Sequence, residues 1–152
     1  MNWKLESNVK ITVKNIHGEI LETKEFHNLI TTVGLNMVRD LWEGLIADGE
    51  LKYVGVGDDN TAPTTADVWL GNETFRKILT SSSEPGDGQL KTIVYIDPSE
   101  AIGTIEEIGW FSGAGAGAGA NTGIMISRVL YSRIKTALES IQIERTDTIA
   151  EA

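Results

Sequence analysis

Tyr53–Lys77 reads YVGVGDDNTAPTTADVWLGNETFRK, and its reading decides the fold. The stretch opens on an apolar run with two glycines, continues through a polar segment rich in Asp, Thr and Asn with Pro63 inside it, and closes on residues that return to β-type alternation. Such punctuation reads as strand, loop, strand, with strands over Leu51–Gly57 and Phe75–Ser82. The same grammar extends in both directions. Val9–Lys14 alternates apolar and polar residues, as does Glu19–Phe26, and Asn15, His17 and Gly18 mark a turn between them, so this segment is expected to form a hairpin. Downstream, Leu90–Ile96, Thr104–Phe111, Gly123–Ile134 and Ser140–Ile149 are separated by turn signals at Pro85–Gly88 and Asp97-Pro98.

One segment breaks the period of two. Val33, Met37, Val38, Leu41, Trp42, Leu45 and Ile46 recur at spacings of three and four, which predicts a helix over about residues 33–47. Thr31 or Thr32 is placed to cap its start and Asp48-Gly49 to end it. Trp42 falls on the apolar face of that helix. About eight strands with a single helix predict a mostly β protein, an antiparallel β-sandwich or jelly roll, rather than alternating βαβ units. The chain is 152 residues long, the size of one domain, so residues 1–152 are expected to form a single β-sandwich. Gly113–Asn121, GAGAGAGAN, carries little side chain to bury and is expected to be a flexible loop.

The composition excludes several kinds of chemistry. There is no cysteine, which removes disulfides, thiolate metal sites and thiol nucleophiles. Thirteen Lys and Arg against twenty-two Asp and Glu give a net charge of -9, with the basic residues scattered. A surface of that sign repels a phosphate backbone, so no nucleic-acid partner is expected. No apolar run is long enough to span a membrane, and the N-terminal residues lack the pattern of a secretory leader, so no membrane partner is expected.

Candidate site residues are few. Gly55-Val56-Gly57 lacks the third glycine and the helix of a nucleotide loop, and Asp58-Asp59 stand where phosphate would lie. Asp58, Asp59, Asn60 and Asp67 carry oxygens suited to an ion, but in no EF-hand register and without its pivot glycine, and turn formation is the favoured explanation of them. His17 and His27 form no paired ligand motif, so no metal or cofactor is expected. Ser81–Ser83 has no nucleophile elbow. Glu106 and Glu107 are neighbours in a strand and point to opposite faces; whichever points inward needs a partner such as an arginine. Trp110 and Phe111 suit packing in a core or interface. Trp69, in a polar loop, is the aromatic residue best placed for an exposed contact.

Taken in order, Asn28-Leu29, Thr32, Gly34-Leu35, Tyr53–Gly57, Pro63, Asp67, Leu70, Glu73 and Arg76, then Glu107–Phe111, Ser127-Arg128-Val129 and the closing run Lys135–Arg145, form a series that resembles small virion structural proteins of tailed bacteriophages, of the tail-fibre, minor structural or decoration type. The resemblance covers about residues 28–148. It implies a non-enzymatic subunit of the virion, on the tail, tail tip or capsid surface, whose partners are other virion proteins and copies of itself. Within that series Arg76 and Glu107 are expected to form a structural ion pair or an inter-subunit contact. A host-receptor or carbohydrate-binding module, with Trp69 and Asp58–Asn60 meeting a host surface glycan, is the alternative. A glycan hydrolase would require two carboxylates converging in a cleft.

Overall fold

A computed structural model describes residues 2–152. Among them are ten strands and one helix: β1 (Trp3–Asn15), β2 (Ile20–His27), β3 (Leu29–Ile30), α1 (Thr32–Trp42), β4 (Leu51–Gly57), β5 (Glu73–Ile78), β6 (Ser81–Ser83), β7 (Gln89–Ile96), β8 (Gly103–Ser112), β9 (Ile124–Lys135) and β10 (Glu139–Glu151). They form two antiparallel five-stranded sheets, ordered β2-β1-β10-β7-β6 and β3-β9-β8-β4-β5, a mostly β architecture consistent with a β-sandwich. Each sheet belongs to its own compact unit. The first unit comprises the segments up to Asn28, Leu79–Ile102 and Thr136–Ala152; the second comprises Leu29–Ile78 and Gly103–Lys135.

In the first unit, strict alternation on β1 buries Val9, Ile11 and Val13, and register places Arg145, Ile143 and Ile141 of β10 directly opposite them. Val94 and Ile96 of β7 continue the same buried face. The β1–β2 turn is held by the Asn15 side chain, whose Oδ1 accepts from the N–H groups of His17 (2.9 Å) and Glu19 (3.0 Å), while Gly18 supplies the left-handed conformation at φ 83°.

The second unit carries the helix. Thr31 caps it as the sequence indicates: its Oγ1 accepts from Gly34 N–H at 3.0 Å and donates to Met125 O at 2.6 Å, tying the helix start to β9. The helix lies close on that strand, since a Cβ at Gly34 would come within 2.9 Å of the Ile126 Cα and O. It ends earlier than the periodicity predicts. Glu43 is the C-cap and Gly44, at φ 74°, turns the chain away, so Leu45 and Ile46 lie outside the helix. Trp42 is 68% exposed instead of lying in the helix's buried face, which is formed by Gly34 and Met37.

The strand count also differs from expectation. Phe75–Ser82 is two strands, β5 in the second sheet and β6 in the first, because the chain changes sheets between Ile78 and Ser81. The short β3 extends the chain beyond β2 to pair Leu29 with Arg128 and Ile30 with Ser127.

Candidate functional site

Four charged residues of the resemblance series, Glu73, Arg76, Glu107 and Arg128, meet on one face of the β8 sheet, and strand register explains how. Arg76 lies opposite Gly55, Gly55 opposite Gly109, and Gly109 opposite Arg128, so one row crossing β5, β4, β8 and β9 reads Arg, Gly, Gly, Arg. The adjacent row on the same face reads Glu73, Gly57, Glu107, Leu130. Glycine in a strand interior marks a place where other atoms come close to the backbone. Here the three glycines form the floor on which two arginine–carboxylate centres and two loops rest.

In the first centre Arg128 Nε donates to Glu107 Oε2 at 2.7 Å, with both side chains buried, Glu107 completely. The same carboxylate accepts the backbone N–H groups of Gly71 (3.0 Å) and Asn72 (2.9 Å). Arg128 Nη1 donates to Thr61 O at 2.8 Å and reaches Asp67 Oδ2 at 3.4 Å, and Nη2 lies 3.7 Å from Asp59 Oδ1. Asn72 Nδ2 donates to Asp58 Oδ1 at 2.6 Å. The polar loop between β4 and β5 is therefore fastened along its length. Gly57 is required for this arrangement, because a Cβ there would lie 2.3 Å from both Asn72 O and Glu107 Oε1.

In the second centre Arg76 Nε donates to Glu73 Oε1 at 2.7 Å, and both side chains are almost wholly buried. The guanidinium stacks over the Phe111 ring, 3.9 Å from its centroid, with Tyr53 at 5.7 Å. Its Nη1 donates to Gly117 O (3.0 Å), Thr122 O (2.8 Å) and Thr122 Oγ1 (2.8 Å), and Glu73 Oε2 accepts from Asn121 N–H at 2.6 Å. This centre grips the Gly/Ala loop at its middle, Gly117, and at its C-terminal end, Asn121 and Thr122.

The expected Arg76–Glu107 pair is therefore corrected. Each residue pairs with a different partner, Arg76 with Glu73 and Glu107 with Arg128, because the glycine rows place Gly55 and Gly57 between them. Trp110 and Phe111 are both buried, and Phe111 forms an apolar cluster with Leu70 and Met125. Glu106 is partly exposed on the opposite face from Glu107 and accepts from Ser132 Oγ at 3.1 Å. Glu73 and Arg128 were not singled out as pairing residues by sequence reasoning, although Gly55, Gly57 and Gly109 inside apolar strands signal the close approach that their pairing requires.

Trp69 is 59% exposed and lines a groove of about 310 Å³ with Asp59, Thr61, Ala66, Asp67, Val68, Gly71 and Arg128. Asp59 carries a carboxyl held below its ordinary value, chiefly by hydrogen bonds from Thr61 and to a lesser extent by the Arg128 charge. The guanidinium of Arg128 lies between Asp59 and Asp67, and among the described residues no group of three or more His, Asp or Glu is arranged to hold a metal ion.

No protein family, curated protein or solved structure matches the chain. Function has to be argued from the geometry and from the residue series.

Proposed function

We propose that the protein is a non-enzymatic structural subunit of a tailed-bacteriophage virion, located on the tail, tail tip or capsid surface and held there by contacts with copies of itself and with other virion proteins. Two features support this reading. Glu73, Arg76, Glu107 and Arg128 of the resemblance series are committed to fastening loops onto a sheet, a use of buried ion pairs that defines shape rather than reactivity. The observation that carries the reading is an apolar end on the β1 sheet. There Ile16 (58% exposed), Ile20 (63%) and Leu138 (64%) stand in solvent, with Ile16 N–H donating to Leu138 O at 3.1 Å and Ile20 paired to Lys14. Large apolar side chains grouped at one sheet end are a contact surface awaiting a partner.

Native mass spectrometry of the purified chain tests the assembly. The expected result is a closed oligomer, since repeated virion subunits surround a symmetry axis. The double variant Ile16→Asp/Leu138→Asp is expected to be monomeric with an unchanged far-UV circular dichroism spectrum, because both side chains are exposed in the single folded chain. A wild-type chain that stays monomeric at its solubility limit, or a variant that assembles as the wild type does, would overturn the contact. Labelling of purified phage particles by an antibody to the chain tests the location.

A further inference from the structure

We infer that the groove beside Trp69 is a binding site for a neutral pyranose ring of a glycan. Trp69 is presented by the residues that follow it. Leu70 is sunk into the cluster with Phe111 and Met125, and the N–H groups of Gly71 and Asn72 are tied to the buried Glu107 carboxylate. An indole left 59% exposed on a backbone fixed this firmly costs little conformational entropy to use as a platform.

The groove offers one aromatic face and a set of polar groups. Asp59 Oδ1 accepts Thr61 N–H at 2.7 Å, and its carboxylate is about one-third exposed, leaving lone pairs for a ligand hydroxyl. Asp67 is fixed by Thr64, whose N–H and Oγ1 donate to it at 3.0 and 2.9 Å. Gly71 keeps the wall open: a Cβ there would lie 2.3 Å from Asp59 Cγ.

The chemistry selects the ligand class. Two carboxylates at the rim of a chain with a net charge of -9 disfavour an anion. Arg128, buried between those carboxylates, disfavours a metal cation. What remains is an uncharged molecule with one apolar C–H face to lie on an indole and hydroxyls to donate to carboxylates, which describes a pyranose. The volume, about 310 Å³, suits one or two rings and is at the small end for ligand clefts.

The test follows the Trp69 indole N–H resonance, assigned by its disappearance in Trp69→Phe, while methyl glucoside, galactoside and mannoside are titrated into the intact chain. At least one neutral pyranoside is expected to shift that resonance with an affinity of about 1 mM, and N-acetylneuraminate to bind about tenfold more weakly or worse. Followed on the backbone N–H resonances of Gly71 and Asn72, which the variants retain, Trp69→Ala is expected to lose about tenfold or more in affinity with no change in thermal midpoint, and Trp69→Phe to lose less. If no pyranoside moves the resonance, if Trp69→Ala binds as tightly as the wild type, or if calcium alone reproduces the shift, the inference is overturned. This readout is independent of the assembly proposed above, which is measured by mass.

Discussion

Gly57 shows how a residue with no side chain organises the charged ones. Its hydrogen stands where any larger group would strike the Asn72 carbonyl and the Glu107 carboxylate, and neither can retreat without giving up hydrogen bonds. Gly57→Ala is expected to cost about 1–3 kcal/mol, the range for overpacking a filled site, read as a lower urea midpoint. Arg128→Ala should be worse, about 3–5 kcal/mol, since it leaves Glu107 charged, buried and without its cation. By contrast, the Lys4–Glu6 pair is half exposed, and Lys4→Ala should move the same midpoint hardly at all. Asp59 adds a dependence on pH. Its folded-state carboxyl titrates below the ordinary aspartate value of 3.8, so the stabilisation it provides is present above that value and is lost as pH falls through the folded pKa. Asp59→Asn lacks that contribution at every pH. The gap between the urea midpoints of the two proteins, measured at neutral pH, should narrow as pH falls below 3.8.

Loops in this protein are held by strands, and Arg76 makes the connection for Gly113–Asn121. With Arg76 bonded to Gly117 and Thr122, and Glu73 to Asn121, a run of small residues without a core of its own is given a fixed path. Arg76→Ala should accelerate amide hydrogen exchange in that loop, with Asn121 among the amides most affected, while β1 and β10, in the other unit, keep their protection. Unchanged loop exchange would show that the clasp is not what orders it. Much of this architecture was legible in the sequence: the β1–β2 turn from Asn15 and Gly18, the helix cap from Thr31, the strands from their alternation. Pairing partners were not. Which arginine meets which glutamate depends on register across four strands and on the bulges beside Gly57 and Glu107, and no local pattern encodes those. The helix end was misread for the opposite reason. Gly44 announces it, but the apolar Leu45 and Ile46 beyond prolong the spacing of three and four, and backbone geometry overrides hydrophobic pattern at a left-handed residue.

Net charge sets the conditions under which copies of this chain can meet. Each carries -9 at neutral pH, while the contact proposed for them is made by Ile16, Ile20 and Leu138, which are uncharged. Attraction at the interface is then short-ranged and insensitive to salt, whereas repulsion between chains is long-ranged and screened. At 0.01 M ionic strength that repulsion extends over about 30 Å, and at 0.15 M over about 8 Å. Assembly should therefore strengthen as salt is added, the reverse of what an interface built on ion pairs would do. Lowering the pH toward the isoelectric point near 4.7 should act in the same direction, since it removes the same repulsion. Sedimentation velocity at a fixed protein concentration, across a salt series at pH 7 and a pH series from 7 to 5, reads both effects. If added salt dissociated the oligomer, charged groups would be making the contact, and the apolar end of the β1 sheet would no longer be the surface through which the subunits join.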